Sequence, residues 1–239
     1  MSKSIAVFGA GPALGRAVAQ RYAREGYDVV LVARRQQPLD DLAEELRRTG
    51  ATAHVIAADL SDVDALPRVA ERVRAAVGDP DTLYYGAAAN GFIPVVELTP
   101  ERAEALLQLG VYAPLMLVRE FLPAMLKRGD GAILSAQGAS AVQGRPNIAG
   151  GFALAAQRNY MQSLHAAVAD QGVYVGGLYI GAAIEHSAFY AQREAAKAAG
   201  ASVPEMATVD PRLLADLLWT MQSARSGPEA TYPEPLFNG

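Results

Sequence analysis

Apolar residues recur along the chain in two alternating rhythms. Short, nearly continuous apolar runs occupy Ser4–Phe8, Asp28–Ala33, Ala53–Ala57, Thr82–Tyr85, Ala132–Ser135 and Val173–Ile180. They predict strands, and the unbroken character of the first three suits strands covered on both faces. Between them, apolar positions return every three or four residues over Leu14–Glu25, Leu39–Arg48, Asp62–Val77, Pro100–Lys127 and Gly150–Gln171, with two further helices near Glu185–Ala199 and Pro211–Ser223. Thr99-Pro100-Glu101 sets an N-cap, an N1 proline and an acid in order, and Ser61-Asp62 starts the preceding helix in the same way. Strands alternating with helices of this length predict right-handed βαβ units and an α/β fold with a parallel, doubly wound sheet. No repeat or linker divides the chain, so residues 1–239 are expected to form a single domain, with 227–239 a tail or a last edge strand around Ala230–Tyr232.

Composition narrows the chemistry. No cysteine is present, which removes disulfide scaffolds, zinc ribbons, iron–sulfur sites and cysteine nucleophiles. The formal net charge of −4 argues against a nucleic-acid partner, which calls for a basic face. Charges are expected to interrupt every apolar stretch before membrane-span length, and the N-terminus runs into a strand with no signal or transit peptide. The expectation is a soluble cytoplasmic protein with a small-molecule substrate and no membrane partner.

The first strand is followed by Gly9-Ala10-Gly11-Pro12-Ala13-Leu14-Gly15 and then a helix. Glycines at such a turn let the backbone tighten and approach a pyrophosphate, which rests on the positive end of the helix. A turn made tight for its own sake is the plainer alternative. The second strand ends at Ala33-Arg34-Arg35, where a site for the unphosphorylated dinucleotide would carry an acid for the ribose hydroxyl. Arg34, Arg35 and Arg16 suit a 2′-phosphate instead, and the cofactor expected is NADP(H); solvated arginines are the alternative. Asp28 sits at the wrong end of its strand to compete. Asp59, before Leu60 at the end of the third strand, either accepts from an adenine amino group or starts the next helix.

With these residues placed, the chain resembles the short-chain dehydrogenase/reductase superfamily over nearly its whole length. The resemblance rests on the Gly9, Ala13, Gly15 spacing with Gly11 extra, and on Asp59-Leu60, Asp81-Thr82-Leu83, Phe121-Leu122-Pro123-Ala124-Met125 and Gly131-Ala132-Ile133-Leu134. Ile180-Gly181 and Ile184 fall where the family has a Pro-Gly turn and a nicotinamide contact, and Ala87 lies in the segment after the fourth strand. The resemblance implies a Rossmann-type domain and NAD(P)-dependent redox chemistry.

The same resemblance exposes a departure. The family passes a proton through a Tyr supported by a Lys four residues later, with a Ser about a dozen residues earlier and an Asn in the preceding long helix. Here Phe152 stands in the Tyr position, Ala156 in the Lys position and Gly110 in the Asn position. The Ser aligns to Ala139 or Ser140, with Ser135 and Gln137 nearby. Tyr85-Gly86-Ala87-Ala88 replaces the family's Asn-Asn-Ala-Gly run. Phenylalanine has no ionisable proton, and losing a placed general acid costs about 10²–10⁴ in rate.

The remaining candidates for chemistry are Ser140, Gln137, Tyr85 and His186, with Asn90 just past the fourth strand. A lone His is more often structural, and no metal-ligand spacing occurs. Tyr160, about 12 Å along the helix from Phe152, is a core or interface aromatic. Tyr179 and Tyr190 lie in or near the segment that closes over substrate in the family. His54 and His165 have no partner in the sequence. The helix from Pro100 to Lys127, bent by Pro114, is apolar over most of its circumference. It covers the sheet or, as in the family, joins subunits into a homodimer or homotetramer. Three readings follow: a reductase acting on a small apolar carbonyl, imine or conjugated acceptor without the usual acid; a non-redox cyclisation, elimination or isomerisation; and a non-catalytic cofactor-binding module.

Overall fold

The computed structural model describes residues 2–88 and 91–236. In chain order the elements are β1 Ser4–Phe8, α1 Leu14–Arg24, β2 Asp28–Ala33, α2 Gln36–Arg48, β3 Ala53–Ala57, α3 Leu66–Val77, β4 Thr82–Tyr85, α4 Pro100–Leu107, α5 Ala113–Arg128, β5 Gly131–Gly138, α6 Gly151–Val168, β6 Val173–Ile180, β7 Ala183–Ile184, α7 Ala188–Ala198, β8 Thr208–Val209, α8 Pro211–Ala224 and β9 Glu229–Tyr232. Seven strands form one sheet in the order β3-β2-β1-β4-β5-β6-β9. Every pairing in it is parallel. This is a Rossmann-type α/β fold, and the order reverses at β1, which opens a crevice beyond the C-terminal ends of β1 and β4.

Alternate residues of each strand face opposite sides, so the sheet has two cores. On one side Ile5, Val7, Val29 and Leu31 meet α1, α2 and α8. On the other, Phe8, Val30, Leu83 and Ile133 meet α3, α5 and α6. α8 closes on α1: Tyr22, Tyr27 and Trp219 pack edge to face with centroids 5.2–5.9 Å apart. The buried Tyr22 hydroxyl donates to Gln222 Oε1 at 2.5 Å, and Gln222 Nε2 donates to Thr82 Oγ1 at 3.1 Å.

Several expectations are corrected. α2 begins at Gln36, before Pro38, because a proline in a first turn removes an N–H that has no helical partner anyway. Asp62 caps a short 3₁₀ turn, Val63–Ala65, ahead of α3. β5 runs on to Gly138, since β6 keeps pairing with it through Ile180. α7 starts at Ala188, where the Ser187 hydroxyl accepts the Tyr190 N–H. The two-residue strands β7 and β8, too short for any periodicity, pair with each other before and after it. β9 decides the open choice for the tail in favour of an edge strand.

The long apolar helix is also corrected, in two ways. By length and composition Pro100–Arg128, which contains an 18-residue stretch with a mean hydropathy of 1.4, does reach membrane-span size. It is not continuous, however: Gln108–Tyr112 forms a π-helical turn between α4 and α5, and Leu117, Phe121 and Met125 of α5 are buried in the second core. The wide turn has a local cause. Pro114 has no N–H, so the Leu109 carbonyl loses its i+5 partner, while the Ala113 N–H bonds to the Gln108 carbonyl. The Tyr85 hydroxyl donates to that Leu109 carbonyl at 2.5 Å and satisfies it.

Candidate functional site

The loop after β1 is built from close backbone contacts that side chains would prevent. Gly9 has φ +97°, and a Cβ there would stand 2.6 Å from the Ala87 nitrogen, so the loops after β1 and β4 touch. A Cβ on Gly15 would stand 2.1 Å from the Gly9 carbonyl oxygen, which is how the first turn of α1 lies against the loop. Gly11 differs, with nothing closer than 3.9 Å to its absent Cβ, and it leaves open space outside the turn. Ala13, the N-cap, offers no side-chain acceptor to the first turn of α1, and Leu14 at the helix start is buried. The Gly9 and Ala10 N–H groups donate to the Val32 carbonyl and the Gly11 N–H to the Gly9 carbonyl, so the groups left for an anion are those of the first turn of α1, beside a turn free of side chains.

Arg34 and Arg35 follow β2 and are exposed at the rim of the same crevice. Arg16 is not free beside them: its guanidinium pairs with Glu45 of α2, which also accepts from Gln20 Nε2 at 2.5 Å. Asp59 accepts from the Ser61 N–H at 3.0 Å and the Ser61 hydroxyl at 2.7 Å. Those two bonds, with the Arg34 charge adding to them, hold its carboxyl below the usual carboxylate range. The turn-forming role is thus made, and Leu60 is buried behind it.

At the other end of the crevice, the Gly181 N–H donates to the Tyr232 carbonyl at 2.6 Å, tying the end of β6 to β9. Ile184 follows in β7. His186, exposed, adopts φ +65°, a left-handed conformation uncommon for a residue with a side chain. It faces Asp210, at the start of α8, through space.

The wall between is formed where the segment after β4 meets the segment entering α6. The Ala149 N–H donates to Ile93, the Gly150 N–H to Gly91 and the Val95 N–H to Pro146, at 2.9, 3.1 and 2.8 Å. A Cβ on Gly91 would stand 2.8 Å from Gly150 Cα, so glycine at both positions allows this contact. Ser140 lies in the 3₁₀ turn Ala139–Ala141 and backs onto Gly151, beside Phe152. Phe152 is 39% exposed and Ala156, one turn on, is exposed with it. Phe92 stacks on Phe189 of α7, ring centroids 4.7 Å apart and planes within 5°.

Other candidates are placed elsewhere. Tyr85 points into the second core, its hydroxyl committed to Leu109, and burial pushes its pKa well above the ordinary phenol value. Gln137 shares that face of the sheet with Ser135. Both are buried, and among the described residues the Ser135 hydroxyl and both amide atoms of Gln137 have no partner. Tyr160 packs against the second core, which favours the core reading. Tyr179 is buried on β6 beneath the Arg158 guanidinium, 5.2 Å from its ring. Arg158 grips Glu229 of β9 with two bonds of 2.8 and 2.7 Å. His165 Nδ1 lies 3.0 Å from the Val175 carbonyl, a structural role. Asn90 lies outside the described residues, among which no group of His, Asp or Glu could hold a metal. The Phe92–Phe189 pair was missed in the sequence, because aromatics about a hundred residues apart carry no periodic signal; the only cue was an aromatic residue at the head of a helix that follows the last crevice segment.

Comparison with known proteins gives the same frame. The model of the short chain dehydrogenase family matches residues 3–194. A fatty acyl-CoA reductase of Mycobacterium tuberculosis is 36% identical over 136 residues, 56% of this chain and 46% of that one. The chain spans about half the length of the curated relatives it matches first. L-sorbose reductase from Gluconobacter frateurii, solved with NADPH and L-sorbose, superposes with a TM-score of 0.85 at 24% identity, over 97% of this chain and 95% of that one. A metagenomic short-chain oxidoreductase solved with NADP has a TM-score of 0.79 at 25% identity, covering 96% of each chain. With a family match across most of its length and the glycine loop, sheet order and crevice described above, the chain belongs to the short chain dehydrogenase family.

Proposed function

We propose that residues 1–239 form one NADP(H)-binding domain that reduces a small, apolar carbonyl, imine or conjugated substrate without the family's Tyr–Lys pair. The observation that carries the reading is the glycine loop: Gly9 and Gly15 are forced by backbone contacts, while Gly11 is left open toward the crevice. Nothing in the turn itself needs a glycine at Gly11, whereas an approaching pyrophosphate does. The NADP-bound relative and the acyl-CoA reductase support the cofactor and the reaction class.

In this reading Gly9 and Gly11 let the backbone close on the pyrophosphate, their own N–H groups donating to the Val32 and Gly9 carbonyls, and Ala13, Leu14 and Gly15 at the start of α1 offer it their N–H groups. Arg34 and Arg35 hold the 2′-phosphate, and Arg16 acts only by steadying α2 through Glu45. Asp59 and Leu60 border the adenine; Ala87, Gly181 and Ile184 border the nicotinamide. Bound NADPH supplies the hydride. Phe152 and Ala156 make a proton-free wall where the family has its acid and the supporting cation, so the substrate oxygen or nitrogen takes its proton from solvent or from the substrate itself. Ser140 is the nearest hydroxyl to that wall, and His186 stands at the lid turn. The protein works as a homo-oligomer, through the α4–α5 face.

One observation favours a second reading, a cofactor-binding module without turnover. The Tyr85 hydroxyl is committed and Gln137 is buried, so neither offers a proton to the crevice. Calorimetric titration with NADPH and NADH tests the first step. Micromolar NADPH binding, with a preference over NADH that falls about ten- to a hundredfold in Arg34→Ala, is expected for a charged hydrogen bond of about 1.5–3 kcal/mol. Absence of binding by either nucleotide would sink the reading. NADPH consumption in a carbonyl and imine panel then separates the reductase from the module.

A further inference from the structure

We propose that the lid carries an anion-binding site, and that the crevice takes an apolar molecule bearing an acidic group, a carboxylate or phosphate, at its far end. The substrate half of this inference rests on the reading above; the site itself rests on the geometry of α7. Side chains four apart on a helix share a face, so Phe189, Arg193 and Lys197 form one stripe along it. Phe189 heads the stripe and stacks on Phe92 at the crevice mouth. The stripe therefore leads away from the mouth along the lid.

One turn on from Phe189, Arg193 is only 9% exposed. Its guanidinium lies 5.6 Å from the centre of the Phe189 ring, and one Nη donates to the Pro204 carbonyl at 2.7 Å. Among the described residues no carboxylate comes within ion-pair distance of it; the nearest pair on the helix is Lys197 with Glu194, at 2.7 Å. A largely buried guanidinium without a carboxylate partner keeps N–H donors in a fork that fits an oxyanion. Arg193 and Lys197 line a concavity of about 620 Å³ with Pro204, Glu205 and Met206. Glu205 is the opposing charge on that wall and sets how tightly an anion is held. Since a helical turn rises about 5.4 Å, the acid sits one to two turns from the aromatic pair, with apolar substance between.

The test is calorimetric titration of the full chain, with and without NADPH, using octanoate, 1-octanol, acetate and inorganic phosphate. Octanoate is expected to bind about tenfold or more tighter than octanol. That ratio should fall toward one in Arg193→Met and by about threefold in Lys197→Gln, and rise in Glu205→Gln. Lys197 is half exposed, so its variant folds even if loss of Arg193 unsettles the lid. Equal affinity for octanoate and octanol, or a ratio indifferent to Lys197→Gln and Glu205→Gln, overturns the proposal. Acetate or phosphate binding as tightly as octanoate also overturns it, by making the site one for free anions detached from any substrate. NADPH is titrated separately, so failure of the cofactor reading shows in its own heat and leaves the octanoate comparison readable.

Discussion

Gln137 joins side-chain chemistry to a cost in stability. Its carboxamide is buried on β5 with neither end partnered among the described residues, and the same holds of the Ser135 hydroxyl on that face. A buried polar group without a hydrogen bond costs about 1–3 kcal/mol, so Gln137→Leu should raise the free energy of unfolding by about 1 kcal/mol in urea titrations. If stability falls instead, internal water already satisfies the amide. The residue was visible in the sequence as a polar position near the end of a strand, but its direction was not. Direction follows from how far β5 runs, and the Gln-Gly ending hid the last three residues of a strand that pairing with β6 sustains. Arg16 shows the converse. Its place beside the glycine loop was legible, while the Glu45 that claims it lies 29 residues away on another helix. The glycines were the most legible of all, because a requirement for no side chain is written in the residue itself.

At the scale of elements, the junction of α4 and α5 turns on a proline and a tyrosine. Tyr85→Phe removes the hydroxyl that donates to the Leu109 carbonyl and leaves that half-buried group without its side-chain donor. A loss of about 1–3 kcal/mol is expected in urea unfolding, with NADPH affinity little changed. A proline at 114 was readable as a bend; the hydroxyl that satisfies the carbonyl freed by the wide turn comes from the sheet, 24 residues away, and no local pattern contains it. The edge strand β9 depends on charge instead. Arg158, through two bonds and its charge, holds Glu229 below its ordinary value of 4.5 even against the opposing effect of burial. A depressed carboxylate stabilises the fold above its unfolded pKa and loses that contribution as pH falls through the folded value. Urea unfolding of the native chain and Glu229→Gln should therefore differ at pH 6–7 and converge as pH falls below 4.5 and through the folded value. A constant gap across that range would mean that the pair acts through packing alone.

Taken whole, the molecule leaves part of one face uncovered. In the most apolar part of the α4–α5 run 39% of the residues are buried, most of the others are only half-buried, and Tyr112 is exposed. A half-covered apolar face suits a partner, and light scattering is expected to give at least twice the mass of one chain; a monomer at micromolar concentration would leave that face to another partner. The fold as a whole was legible because alternation of strand and helix constrains a parallel sheet tightly, whereas the lid was not, since its two-residue strands are held by each other across a helix. The packing of α8 on α1 also bears on how the chain is made. β1, α1 and β2 leave the ribosome well before α8, and they can pair at once. The Tyr22 ring and hydroxyl, however, find Trp219 and Gln222 only when the last helix has been synthesised. α1 thus waits, half-covered, while the 200 residues between Tyr22 and Gln222 are added, and the growing chain stays vulnerable to chaperones, proteases and its own neighbours until α8 arrives.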